Sequence, residues 1–268
     1  MRARSLGWIV SIVMAGVSFA ALLPAAGQPQ APAFRAPRTN FGQPNLMGIW
    51  QVMNSAHYDL EPHAASLGVP AGVGVIVDPA DGKIPYTPQA LVQRNANFKN
   101  RAQADPYTKC FKPGTPHLMY VSFPFQIIQS ATQVTILSEY VHNTRTVFLN
   151  RSSHWPPDSV DLWNGDSVGK WDGDTLVTDV ANFNGQAWLD RAGNFASEQL
   201  KVVERFALID ADTIRYEATL TDPKTYSRPW TMRMLLYRHK EPNLRIMEYE
   251  CHAYGDESLK DPKLPTVR

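Results

Sequence analysis

The second half of the chain alternates between apolar and polar positions. In Thr213 to Thr221, Ile214, Tyr216, Ala218 and Leu220 fall on one side and Arg215, Glu217 and Thr219 on the other. A period of two marks a half-buried strand and identifies its inner face. Leu200 to Leu208 repeats the pattern through Leu200, Val202, Phe206 and Leu208, but Glu204 falls in the same apolar row. Further strands are read over Met47–Met53, Val73–Val77, Val121–Ser130, Gln133–Val141, Thr144–Leu149, Ser167–Trp171, Thr175–Val180, Pro229–Arg238 and Leu244–His252, about ten in all. Asp172-Gly173 predicts a tight hairpin, because glycine accepts the positive φ such turns need. One helix is predicted near 88–104: Thr87 is its N-cap, Pro88 takes the first helical position, and Pro106 limits it. The fold class is therefore all-β. An antiparallel meander closes into a lipocalin-like barrel or folds into a sandwich, and either arrangement removes the sheet edges. The Gly48-x-Trp50 opening is compatible with such a barrel.

The first residues follow a different pattern. Arg2 and Arg4 precede an uncharged apolar run from Gly7 to Leu23, and Pro24-Ala25-Ala26-Gly27 supplies small residues for cleavage. This predicts a signal peptide over 1–27, the alternative being an uncleaved anchor. Residues 28–39, rich in Pro, Ala and Gln, are expected to form a disordered lead-in. Residues 40–268 then form a single β-rich domain. The expected location is periplasmic or secreted, with no stable membrane span after cleavage.

Charge narrows the partners. With 26 Lys+Arg against 25 Asp+Glu and no basic stripe, nucleic acid is not expected as a partner. A small-molecule ligand or substrate is. The only cysteines are Cys110 and Cys251. Outside the cytoplasm an even pair favours a disulfide; two buried thiols or a reactive thiol are the other readings.

Glu204 is the first candidate for chemistry, since a carboxylate in an apolar row is costly unless it is paired or reactive. A buried ion pair explains it equally well. His154, beside Trp155 in a loop entering the sheet, is a candidate general acid or base near neutral pH, or else a surface histidine. Asp179 either ends an inward row or caps a turn. Arg145 is the candidate for holding a developing negative charge. Trp155, Trp171, Trp188, Tyr216 and Trp230 are candidate substrate-binding aromatics, with core packing as the default. No HExxH, CxxC, P-loop, G-x-G-x-x-G or G-x-S-x-G motif occurs, so no metal and no cofactor is predicted, a site assembled in space from His142, His154 and His252 being the alternative for a metal. These features point to an exported enzyme performing cofactor-free acid–base chemistry as a lyase, isomerase or hydrolase on a small organic or sugar-like molecule. The alternative is a non-catalytic periplasmic carrier with an aromatic-lined barrel pocket.

The run from Trp163 through Asp166, Trp171 and Gly173 to Asp179, followed by Glu204-Arg205-Phe206, Asp222-Pro223 and Pro229-Trp230, resembles a family of exported bacterial β-rich proteins. The Cys110…Pro113-Gly114…Pro116 loop and Glu248-Tyr249-x-Cys251 fit the same pattern. The resemblance implies an exported β protein and brings no catalytic residues with it.

Overall fold

The structure is a computed structural model and describes residues 34–251. The expected signal at 1–27 and the lead-in up to residue 33 lie outside the described residues. Residues 34–39, expected to be disordered, are already docked. Ala36 and Thr39 are buried, and Arg38 pairs with Pro44 in an isolated bridge.

The strands are β1 Gly48–Val52, β2 Ile76–Asp78, β3 Phe125–Gln129, β4 Gln133–Ser138, β5 Thr144–Phe148, β6 Asp166–Asp172, β7 Thr175–Ala181, β8 Lys201–Asp210, β9 Thr213–Thr221 and β10 Trp230–Arg238. The helix α1 spans Pro88–Ala104. Thr87 caps it, its hydroxyl accepting a hydrogen bond from Ala90 N at 3.2 Å.

All the strands except β2 close into a barrel of 9 strands, because β1 pairs both β3 and β10. β2 pairs with Thr231 and Met232 of β10, on the edge that β1 uses farther along at Leu236–Arg238. The expected all-antiparallel order holds everywhere but at one seam: β5 and β6 run parallel. An odd ring cannot alternate direction at every neighbour, so one parallel contact is obligatory. A parallel neighbour needs a long return connection, and residues 149–165 supply it.

Two other expectations are corrected. The strand read from Val121 starts only at Phe125; Pro124, which has no N–H for the ladder, precedes it. The strand read over residues 244–252, hairpinned with β10, is not formed over 244–251, and His252 lies outside the described residues. Over residues 244–251 there is only an isolated bridge, Tyr140 to Tyr249. The reason is topological: β9 and β1 already flank β10, so it has no free edge. The segment is held instead by Tyr249, whose ring lies 4.5 Å from that of Phe123. The Cys110–Cys251 disulfide also holds it, with Cα atoms 5.5 Å apart.

Side chains fill the barrel. Trp50, Phe125, Phe206, Tyr216 and Trp230 are fully buried among Val202, Leu220 and Leu236. The closing contact is specific. The Arg238 guanidinium lies 4.2 Å from the centre of the Trp50 ring, and it donates to Ala211 O at 3.1 Å and to Met47 O at 2.6 Å. Gly48 makes room for it: its φ is +145°, and a Cβ there would collide with the Arg238 guanidinium. Gly48→Ala is therefore expected to lower stability by about 1–3 kcal/mol, measured as a shift in the urea midpoint. An unchanged midpoint would remove Gly48 from the closure.

Candidate functional site

The four residues expected to act together separate into two groups on opposite faces of the sheet. Glu204 points inward from β8 and Arg145 inward from β5, both buried. Arg145 Nη1 donates to Glu204 Oε1 at 3.0 Å, and Nη2 pairs with Oε2. Thr178 Oγ1 donates to Oε2 at 2.6 Å and Tyr216 OH to Oε1 at 2.8 Å. Arg145 Nε donates to Ser167 Oγ at 3.0 Å. Four donors thus converge on one carboxylate that is 0% exposed. Of the two readings open for Glu204, this geometry is that of the buried ion pair. Burial and the Glu204 charge push the Tyr216 hydroxyl well above its ordinary pKa, so it stays a donor.

His154 and Asp179 meet outside the barrel. Asp179 projects from β7 away from inward-facing Thr178. His154 Nε2 lies 3.2 Å from Asp179 Oδ1, and Nδ1 lies 3.2 Å from Oδ2 of Asp166. Asp166 is also gripped by Arg151 at 3.0 and 2.9 Å and by the Trp155 N–H at 3.0 Å. Burial opposes charge on Asp166, but Arg151 and the Trp155 N–H outweigh it and hold the carboxyl below its usual range. The cluster pins the 149–165 return loop to the barrel wall.

The predicted aromatics are dispersed. Tyr216 and Trp230 are core side chains out of reach of a ligand, and Trp171 is half-buried against the core. Trp155 is exposed beneath the Arg151 guanidinium. The Trp188 carbonyl lies 2.9 Å from His117 Nδ1. None of the five lines either of the two principal clefts.

The larger cleft, about 880 Å³, lies beside the return loop, with Asn182, Phe183, Leu200 and Lys201 on its walls. Its charged wall residues Asp161, Glu198 and Lys201 are exposed. The smaller, about 560 Å³, lies between α1 and residues 58–69 and is lined by Asp59, Asp105 and Arg191 among others. Behind it stands a buried polar cluster that strand periodicity does not reveal. Asp190 is 0% exposed and accepts hydrogen bonds from the N–H groups of Leu60, Ala192 and Asn194 at 2.9, 3.0 and 3.1 Å. The Asn194 amide nitrogen reaches both Asp190 Oδ2 at 2.6 Å and Asp59 Oδ1 at 3.3 Å. Arg94 lies 4.0 Å from Asp59 and donates to Asn194 Oδ1 at 3.2 Å.

The local sequence builds this arrangement. The Asn97 side chain of α1 donates to Gly193 O at 3.1 Å. Gly193 has φ +86°, and a Cβ there would stand 2.7 Å from Asn97 Cβ, so glycine lets the helix meet the loop carrying Asp190.

Burial raises the titration of Asp190, pushed up to about 8, with the Asp59 charge adding to the effect. Burial also raises Asp59, and it raises Asp105 against its partner Arg191, whose Nε is 3.2 Å away. Asp59 and Asp190 titrate as a pair. Nearby, His57 Nδ1 and His117 Nε2 are 2.9 Å apart. Burial lowers these imidazoles to about 2 and about 4, so both stay neutral.

No protein-family model, curated protein or solved structure matches the chain. Among the described residues, no group of three or more His, Cys, Asp or Glu side chains is placed to hold a metal ion.

The buried charges set two measurable behaviours. Glu204→Ala strands the Arg145 charge and is expected to cost about 3–5 kcal/mol, whereas Arg145→Met combined with Glu204→Leu costs less than that single change. Urea unfolding of the set measures both, and an additive double variant would contradict the pairing. The Asp59–Asp190 pair keeps a proton in the folded state that the unfolded chain releases near pH 4. Its contribution is full below that pH and is lost as pH rises through about 8. Wild type should therefore lose stability relative to Asp59→Asn across this window, read as the difference in thermal midpoints.

Proposed function

We propose that the chain is an exported enzyme that performs acid–base chemistry, as a hydrolase, lyase or isomerase, on a small organic or sugar-like molecule held between α1 and residues 58–69. The observation that carries this reading is the carboxyl pair: Asp59 lines a cleft, is itself raised by burial, and is joined through Asn194 to the buried Asp190. Two coupled carboxyls with raised pKa values hold a proton at neutral pH where isolated ones hold none. Asp59 is the member within reach of a substrate. As an acid it delivers its proton to a leaving or developing oxyanion and recovers one from water; as a base it runs the reverse. Asp190 is a positioning residue: it contacts no substrate and, through the Asn194 amide nitrogen that reaches both carboxyls, holds Asp59 in place.

The surrounding charges suggest the ligand. Lys99, Arg101 and Arg191 line the same cleft, which favours a substrate bearing a carboxylate or similar anion. Asp105, tied to Arg191, keeps that guanidinium oriented. Export is supported by the N-terminal pattern and by the Cys110–Cys251 disulfide, a bond that persists in oxidising compartments. No helix among the described residues is long and apolar enough to cross a membrane.

The test is a screen of small esters, lactones, glycosides and hydroxy acids for turnover by NMR, followed by variants on any hit. Asp59→Asn is expected to lower kcat by roughly 10²–10⁴ with an intact fold. If Asp59 acts as the acid, the rate falls as pH rises through the pair's titration. Full turnover in Asp59→Asn together with loss in His154→Ala would overturn the assignment and move the chemistry to the return loop.

A further inference from the structure

One stretch of the surface is built unlike the rest. From Pro62 to Val77 the only ionisable side chain is His63. Leu67, at the tip of this segment, is 103% exposed, and Val73 near its base is 94% exposed. Apolar side chains held this far into water mark a contact surface where they join further apolar area. The segment also pairs part of its own backbone. His63 and Gly72 exchange N–H···O bonds at 2.9 and 3.0 Å, and Ser66 and Val69 do so at 3.0 and 2.9 Å. The His63 ring spans Glu61 O at 2.8 Å and Pro70 O at 3.0 Å. A finger without Asp, Glu, Lys or Arg, and with these backbone groups paired, enters a low-dielectric layer at a lower cost than unpaired backbone would.

Helix α1 stands across the cleft from the tip. Leu91, Phe98 and Ala102 recur at helical spacing, and Leu91, Val92 and Phe98 are exposed. Its ionisable residues are Arg94, Lys99 and Arg101; no acid lies between Thr87 and Ala104. The Phe98 ring sits between two of these cations, with Arg101 4.1 Å and Arg94 5.2 Å from its centroid. Leu67, Phe98, Lys99 and Arg101 all line one cleft. The nearby acids each face a cation: Asp59 lies 4.0 Å from Arg94, Asp105 is buried against Arg191, and Glu61 is paired with Lys83 at 2.9 Å.

We infer that the 62–73 finger and the exposed face of α1 together dock the protein on an anionic phospholipid surface. Leu67, Leu91 and Phe98 enter the boundary between headgroups and acyl chains, and Lys99 and Arg101 meet the phosphates. Apolar side chains flanked by cations with no acid on the same element form the combination that holds helices in that boundary. The surface borders the cleft of the proposed function and shares Lys99 and Arg101 with it; Asp59→Asn separates the two readings, since it removes the reactive carboxyl and leaves every docking side chain in place.

The full chain is sedimented with phosphatidylcholine vesicles containing about 30% phosphatidylglycerol and, in parallel, with pure phosphatidylcholine. Binding to the anionic vesicles is expected, weakened roughly tenfold or more by Lys99→Glu with Arg101→Glu and suppressed in about 0.5 M salt. Leu67→Asp, at a fully exposed position, should weaken it without affecting the thermal midpoint. Leu67→Trp should give a blue-shifted emission on anionic vesicles. Failure to sediment with anionic vesicles would overturn the inference. So would undiminished binding by Leu67→Asp, or a Leu67-dependent association with protein in the absence of lipid.

Discussion

The pairing of β1 with β10 is the constraint from which the rest follows. Once the sheet closes, neither strand has an edge left. Residues 244–251, following β10, must therefore leave the sheet, and they are held by an aromatic stack and a disulfide instead of a ladder. Closing with an odd number of strands forces one parallel neighbour, so the chain must run back outside the barrel through residues 149–165. That return brings Arg151 and His154 onto Asp166 and Asp179. With the interior filled, concave surface forms where irregular segments cross the outside, and both principal clefts lie there.

Two groups of buried carboxylates show how the same residue type serves different ends. Glu204 receives a guanidinium and two hydroxyls at once and has no capacity for a further partner. Removing it costs more than replacing the whole pair, which is the behaviour of an internal clamp. Asp59 and Asp190 face each other's charge through an amide, with a cleft on one side. Their environment opposes full ionisation, and a group whose charge is opposed beside an opening is suited to passing a proton.

The parts of this structure legible in the sequence were those set by local rules. Thr87-Pro88 placed the helix at its observed start, Asp172-Gly173 placed a hairpin, and alternation assigned the inner face of β9. Glu204 was visible as an anomaly in an apolar row. Its partner left a fainter trace, Arg145 sharing the inward face with Val147 on a short strand. The parallel seam was hidden because alternation reports a strand's faces and says nothing of its neighbours. Asp59 and Asp190 were hidden for a different reason. They lie far apart in the chain, in segments without period, and their loops meet through contacts such as the Leu60 N–H on Asp190 that no local pattern announces.

The closing pair also dictates when the fold can exist. Residues 50–52 wait for residues 236–238, a separation spanning most of the described chain, and such contacts form late. A chain emerging N-terminus first can pair β3 through β9 with their neighbours, yet it carries β1 and β9 as open edges until β10 arrives. Any product that stops before Trp230 keeps both edges, and exposed edges recruit other strands. A chain cut short of β10 is thus left with two edges that another strand can pair.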